Sequence, residues 1–163
     1  MVNTLKILTI ENPKEEDILR DISKNVKTEG IKTEEFQIFL DQLLQTAKLS
    51  EEQVGVQSAG ISAPQAGKSL RVFYILDGKG KKFELFINPE VTILDMKQDL
   101  DWEGCLSVPG VEEKVLRYRK VKVSYMDKKG KKQRKVFRKM EAREIQHESD
   151  HLDGILFIDR IEK

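Results

Sequence analysis

The chain has 163 residues, which is enough for one domain with a substantial core, and no shift in composition marks a second domain. Its 29 basic and 28 acidic residues give a net charge of +1 at pH 7, which excludes the strongly charged classes that bind nucleic acid or membrane surfaces by charge alone. We therefore predict a single domain over residues 1–163.

The chain has no apolar stretch that would carry it into or across a membrane. Its first apolar run, in "MVNTLKILTI", is too short for the core of a signal peptide. Nowhere does the sequence approach the roughly 20 apolar residues of a membrane-spanning helix. We expect a cytoplasmic protein with no membrane partner. Its one cysteine, Cys105, cannot form an internal disulfide and is left as a metal ligand, a nucleophile, a free thiol or a buried apolar side chain.

Two helices are predicted in the first third of the chain. The first begins at Pro13, and its apolar residues recur at helical spacing as far as Val26. The second begins near Thr33, with two glutamates in its first turn and an apolar stripe that continues to Ala47. The polar segment 49–58, which is interrupted by Gly55, is predicted to be a loop.

Short strands separated by turns follow, and a helix closes the chain. The strands are predicted at 70–76, 83–88, 90–96, 120–126 and 134–138. The last helix is predicted from about Met140 to Leu152, with Gly154 ending it. Helices at both ends rather than between strands indicate an α+β fold, in which antiparallel sheets pack around the C-terminal helix. The basic run 128–135 is interpreted as a solvated hairpin tip, so no direct nucleic-acid site is expected.

Both histidines of the chain lie in the segment "QHESDH", residues 146–151. On a helix, His147 and His151 project from one face and can bind one metal ion, with Glu148 held beside it as a general base. The same stripe includes Met140 and Glu144, which are also predicted to face the metal.

A third ligand is needed, and the sequence favours an upstream one. The downstream position at which some HExxH enzymes place a third histidine is occupied here by Phe157. Cys105 lies in the turn-rich segment "DWEGCLSVPG", and its thiolate is a strong ligand for a borderline-soft ion. A buried thiol in a strand is the alternative.

Three segments, "GISAPQ" (60–65), "EGCLS" (103–107) and "QHESDH" (146–151), resemble in order and spacing the three motifs of the peptide deformylases. The resemblance covers about residues 55–161. It implies removal of the N-formyl group from the formyl-methionine that begins nascent polypeptides, with release of formate. It also implies a site for iron(II), in which zinc, nickel or cobalt can substitute, with ligands Cys105, His147 and His151.

The resemblance assigns the remaining roles as well. Glu148 becomes the general base and acid, while the Gln65 amide and the Leu106 backbone N–H become the donors to the oxyanion. The substrate backbone is expected to pair, as an added strand, with main-chain groups at Ala59, Gly60 and Gly104. The partner is an N-formylated nascent peptide, with the ribosome as a possible second partner, and a monomer in the cytoplasm or in a bacterial-type organelle is expected.

The chain departs from the family pattern at several positions. Ser58 and Lys139 stand where glycines are usual, and Ile61 and Ser62 replace Leu and Ala. Glu144 stands where an apolar residue usually lines the pocket for the methionine side chain. Either Glu144 reaches solvent or a basic partner, or the pocket has become polar and prefers a different, cationic formylated residue. A small zinc peptidase and an inactive metal-binding homologue are the competing functions.

Overall fold

The computed structural model describes residues 2–161, and over them the chain forms four α-helices and five strands. The strands are β1 (Gly60–Ser62), β2 (Val72–Leu76), β3 (Phe83–Cys105), β4 (Val108–Met126) and β5 (Lys132–Arg138). The helices are α1 (Pro13–Leu19), α2 (Glu34–Lys48), α3 (Ser50–Val54) and α4 (Lys139–Leu152). Short 3₁₀ turns lie at Thr28–Gly30, Ala63–Ala66 and Phe157–Arg160. The predicted α+β class is confirmed.

The strands form one antiparallel sheet in chain order, β1-β2-β3-β4-β5, so β1 and β5 are its edges within the described residues. β3 and β4 pair along most of their length, with register shifts that include one between Glu103 and Cys105. Such bulges bend and twist a strand without ending it. The two long strands therefore continue past the region where the other strands pair with them. Cys105 lies at the turn that joins these two strands.

The sheet lies between α2 and α4. Successive residues of β2 point to opposite faces. Val72 and Tyr74 pack in the same cluster as the apolar side of α2, whereas Phe73 and Ile75 pack against Ala142, Ile145 and Leu152 of α4. Helix α4 is thus fixed on one sheet face by its apolar side, which leaves its other sides free to carry polar groups.

Several predicted boundaries were wrong. α1 ends at Leu19 rather than continuing to Val26, because the backbone N–H and C=O of Val26 bond instead to the side chain of Asn88. Residues 50–54 of the predicted loop form α3. The strands predicted at 83–88 and 90–96 are parts of one strand, since β3 continues through Asn88, whose φ is +50°. No helix within residues 2–161 is long and apolar enough to cross a membrane.

Both ends of α4 depend on left-handed backbone. Gly154, predicted to end the helix, has φ +72°, and a Cβ there would lie 2.2 Å from the carbonyl oxygen of Arg20. At the other end Lys139 has φ +54°, a conformation that costs a non-glycine residue about 1 kcal/mol or more. A glycine, which the resemblance places at this position, would avoid the cost that Lys139 bears.

Candidate active site

The structure brings together the three residues predicted as metal ligands. Cys105 lies in the tight turn between β3 and β4, where it pairs with Val108, and both histidines lie on α4. Their donor atoms all lie within 4.8 Å of one another, and the Cys105 sulfur is 3.3 Å from Nε2 of His151. One thiolate and two imidazoles form a donor set that suits iron, zinc, nickel or cobalt and leaves further coordination positions open.

A buried carboxylate orients one of the histidines. Nδ1 of His147 lies 2.8 Å from Oε1 of Glu103. When Nδ1 donates to that carboxylate, Nε2 carries the lone pair and is free for the donor cluster. Burial alone would raise the pKa of Glu103, but its bonds to Arg117 and His147 hold that pKa well below the usual range. Glu103 therefore stays ionised and fixes the ring.

Glu103 belongs to a larger buried ion network. Arg117 donates to both Glu103 oxygens, at 2.8 and 2.9 Å, and Arg143 donates at 2.7 Å. Arg117 also donates to Asp150 at 2.6 Å, and Asp150 accepts from Arg160. Each buried charge is thereby paired, the condition under which burial of ions is tolerated.

Sequence reasoning assigned no role to these network residues. Glu103 and Asp150 lie inside the "EGCLS" and "QHESDH" segments, and Arg143 lies on α4 four residues before His147. Their position within or beside these motifs was the available signal. No local sequence signal marked Arg117, because its ion pairs depend on the register of β4 against β3. That register places Asp99 opposite Arg117 and Glu103 within hydrogen-bonding distance.

Glu148 is buried beside the donor cluster, and its Oε2 atom has no hydrogen-bond partner within residues 2–161. Burial raises the pKa of Glu148 to about 8. The carboxylate packs against Gly60, where a Cβ would lie 2.7 Å from Oε1. A free carboxylate oxygen next to the donors is placed to exchange a proton with a water there.

Gln65 also reaches the cluster, in a fixed orientation. Its Oε1 atom accepts from the Ser62 backbone N–H at 2.9 Å, so its amide nitrogen points the other way, to 3.5 Å from the Cys105 sulfur. That nitrogen donates to Ser107 Oγ at 3.2 Å. The side chain thus presents donor hydrogens, rather than its oxygen, to the site.

A cleft of about 660 Å³ opens onto the cluster. Its lining includes Ala59, Gly60 and Gly104, which the resemblance assigned to the substrate backbone, together with Leu106, the expected oxyanion donor, and Glu144. β1 is an edge strand, and residues at its start line the cleft. Ser58, in place of the usual glycine, ties the loop down because its hydroxyl bonds to both the N–H and the C=O of Gly60.

Met140, which its place on the helical stripe predicted to face the metal, does not line this cleft, so that prediction was wrong. It is 53% exposed and lines a separate cavity of about 510 Å³ together with Leu100 and Arg119. Met140 precedes His147 by two helical turns, about 10 Å along the axis. Residues on one helical stripe point in the same direction but lie at different distances from the site. Met140 therefore lies outside the cleft.

Glu144 lies inside the cleft without a partner. It is half-buried and forms no hydrogen bond or ion pair with any residue between 2 and 161. Burial raises the pKa of Glu144 above its ordinary value. Of the two expected neighbours of Glu144, a basic partner was wrong, since Arg143 and Arg117 both bond to Glu103 instead. The other, solvent, agrees with the structure, because the side chain is partly exposed.

Fold and site together define a metal-dependent hydrolase, with three ligands, an adjacent carboxylate and an open cleft. The chain belongs to the polypeptide deformylase family, whose sequence model matches residues 4–163. A peptide deformylase from Fusobacterium nucleatum is 41% identical over 146 residues, covering 90% of this chain and 79% of the relative. The predicted family and enzyme class are confirmed.

Solved structures give the same result. A class I type b peptide deformylase from Acinetobacter baumannii with Met-Ala-Ser bound superposes with a TM-score of 0.84 at 31% identity, covering 99% of this chain and 100% of that one. The peptide deformylase from Thermotoga maritima superposes with a TM-score of 0.83 at 30% identity, covering 99% of each chain.

Proposed function

We propose that this protein hydrolyses the N-formyl amide of formyl-methionine at the start of nascent polypeptides, which yields formate and a free α-amine. The observation that carries the proposal is the position of Glu148, buried with a free carboxylate oxygen beside three converging ligand side chains. A formyl group is small enough to reach such a recessed site, whereas the rest of the peptide needs an open cleft like the one observed.

Cys105, His147 and His151 would hold iron(II), with zinc, nickel or cobalt as substitutes. Such an ion supplies Lewis acidity, which lowers the pKa of water and stabilises negative charge on a carbonyl oxygen. The structural support is the donor set, together with the Glu103 bond that leaves Nε2 of His147 free. A mixed sulfur and nitrogen set disfavours Mg²⁺ and Ca²⁺, which take oxygen ligands.

Proton transfer is assigned to Glu148. Its free oxygen takes a proton from the attacking water and later delivers it to the departing amine nitrogen, so the same group acts as base and then as acid. The Glu148 carboxylate packs against the backbone of β1, which it can approach closely because residue 60 is a glycine. No net proton is lost from the protein in one turnover.

Stabilisation of the negative charge that develops on the formyl oxygen is assigned to two hydrogen-bond donors. The Gln65 amide is oriented towards the site by Ser62, and the Leu106 backbone N–H follows Cys105 in the same turn. Preorganised donors of this kind lower the barrier, because they need no rearrangement when charge develops. Loss of the Gln65 donor should cost about a hundredfold in rate.

The peptide backbone is assigned to the open side of β1. An extended chain can lie along that edge near Ala59 and Gly60 and reach Gly104 on β3, which also lines the cleft. Pairing with Gly60 requires its N–H and C=O to leave the Ser58 hydroxyl. The protein would act as a monomer on chains emerging from the ribosome, in the cytoplasm or a bacterial-type organelle.

Formate release from formyl-Met-Ala-Ser tests the proposal, with iron-loaded protein under anaerobic conditions. We expect turnover by the wild type, and a loss of about a thousandfold in Glu148→Gln with metal content unchanged. Glu141→Gln, on the same helix but outside the residues that line the cleft, is the matched control and should retain activity. Cleavage of the peptide between residues without formate would show a protease, and metal binding with neither product an inactive homologue.

A further inference from the structure

The position at which some HExxH enzymes place a third histidine is occupied by Phe157, and its ring lies against a ligand residue. The ring centroids of Phe157 and His147 are 6.1 Å apart, and the angle between the ring planes is 25°. Nearly parallel rings at this distance form an offset stack, one of the arrangements that aromatic side chains favour. Phe157 is only 1% exposed, so the contact is buried. Phe157 cannot bind a metal ion, but it covers one face of a side chain that can.

The hydrogen bond between His147 and Glu103 does not by itself fix the plane of the imidazole ring. The bond holds Nδ1 at 2.8 Å from the carboxylate, and the ring can turn about the N–H direction without lengthening it. The χ2 torsion of histidine is broad, so it restrains this rotation only weakly. A phenyl ring packed on the imidazole face supplies the missing restraint, because a turn would drive the imidazole edge into it. The direction of the Nε2 lone pair follows the ring plane and is fixed with it.

The apolar cluster that contains Phe157 also packs against a second ligand residue. The buried members of the cluster are Val108, Val115, Leu156 and Phe157, and the partly buried Cys105 packs against them. Val108 is also the strand partner of Cys105 across the turn between β3 and β4. A sulfur ligand on β3 and an imidazole ligand on α4 are therefore both in contact with one buried cluster.

The 3₁₀ turn that carries Phe157 is held by ion pairs to two other parts of the molecule. Arg160 donates to both carboxylate oxygens of Asp150 on α4, at 2.8 and 3.1 Å. Asp159 pairs with Arg20, the residue that follows α1. Bidentate pairs of arginine and carboxylate fix geometry as well as distance. The position of Phe157 relative to α4 therefore depends on more than apolar packing.

We propose that Phe157 is a positioning residue of the metal site, which fixes the plane of the His147 ring while Glu103 fixes its Nδ1 atom. The inference rests on the proposed function, because it treats His147 as a ligand of that site. Phe157 does not line the cleft. Its loss should therefore act through the arrangement and retention of the metal ion.

The test uses cobalt(II)-loaded protein, since the visible absorption bands of cobalt respond to the arrangement of its ligands. Phe157→Leu should change these bands, and a chelator should remove the cobalt about tenfold faster than from the wild type. Phe157→Tyr keeps the ring face and should keep the wild-type bands. Phe137→Leu is the control, because it removes the same ring from a buried cluster on α4 that contains no ligand residue. It should keep the wild-type bands and rate of cobalt loss, although both leucine variants unfold at lower temperature.

The inference is overturned if Phe157→Leu shows the wild-type bands and the wild-type rate of cobalt loss. It is also overturned if Phe137→Leu shows the same changes as Phe157→Leu, because a general loss of stability would then be the cause. Neither measurement needs turnover, so the proposed function fails in a different way. Cobalt-loaded wild type that releases no formate from formyl-Met-Ala-Ser would overturn the proposed activity, while the cobalt bands of the variants would still support the inference.

Discussion

The carboxylates in two regions of one cleft differ in whether they have hydrogen-bond partners. At its inner end Glu103 is buried among two arginines and a histidine, and every oxygen is bonded. One turn before His147 on α4, Glu144 is half-buried and has no partner within the described chain. Paired charges hold a site rigid, whereas burial of an unpaired charge costs free energy unless water or a ligand bonds to it. The inner end thus fixes the orientation of His147, whereas the outer end leaves a carboxylate open to the cleft.

The largest expected effect comes from breaking the paired end with Glu103→Gln. It leaves Arg117 and Arg143 short of a buried counter-charge and weakens the hold on His147. The free energy of unfolding should fall by about 3 kcal/mol, and metal should bind about 10- to 100-fold more weakly. Urea unfolding and metal competition measure the two effects. Glu113→Gln, opposite Glu103 in the β3–β4 register but exposed, is the control, and equal midpoints for both variants would refute the network's role.

Gly60→Ala tests whether close packing, rather than charge, positions the catalytic end. Its Cβ would lie 2.7 Å from Oε1 of Glu148 and 3.0 Å from the Tyr74 carbonyl oxygen, so Glu148 must move. A displacement of about 1 Å should reduce kcat about a hundredfold with metal content unchanged. Gly30→Ala, where a Cβ would meet nothing within 4 Å, should retain activity. Wild-type kcat in Gly60→Ala would rule out this positioning.

Lys139→Gly concerns the start of α4, the helix that carries Glu144, His147 and Glu148. Lys139 has φ +54°, and glycine removes about 1–2 kcal/mol of strain while it costs about 0.5–1 kcal/mol in unfolded-state entropy. A net gain of about 0.5 kcal/mol in unfolding free energy is expected, with unchanged kcat/KM. Thermal unfolding checks it, and a loss of stability would show that the Lys139 side chain contributes more than its backbone costs.

The smallest effect extends the comparison to a partly exposed carboxylate that has hydrogen-bond partners, in the turn between β4 and β5. Asp127 accepts backbone hydrogen bonds from Lys131 and Lys129 and a bond from the Gln133 side chain, which lower its pKa below the ordinary 3.8. Because the folded pKa is depressed, its stabilisation is complete above pH 3.8 and is lost as pH falls through the folded pKa. Asp127→Asn should therefore be less stable than wild type at pH 7 by urea unfolding, and this difference should shrink as the pH falls below 3.8. A difference in stability that stays constant over that pH range would contradict the assignment.

Local patterns in the sequence predicted the parts of the site that lie on one element. The spacing of His147 and His151 depends only on helical geometry, and the turn around Cys105 on its own residues. The same reasoning failed for Met140, since direction along a helix was taken for proximity. It also ended α1 too late, because the partner of Val26 is Asn88, 62 residues away.

The long-range parts could not be read from one sequence. β3 and β4 continue through bulges, which interrupt the alternation of apolar and polar residues. A long strand of this kind therefore appears in the sequence as separate short strands. The register of those strands then decides that Arg117 meets Glu103 and Asp150. Glu144 was recognised as unusual because the resemblance places an apolar residue at that position, but its lack of a partner followed only from the bonds that the arginines form with Glu103.

The central claim is that Cys105, His147 and His151 bind one divalent ion. Its most direct test is the metal content per chain by mass spectrometry after loading with iron or nickel and removal of unbound ion. One equivalent is expected in the wild type, and less than a tenth of that in Cys105→Ala, in His147→Ala and in His151→Ala, each still folded. Retention of a full equivalent by Cys105→Ala, or an empty wild type after loading, would contradict the claim.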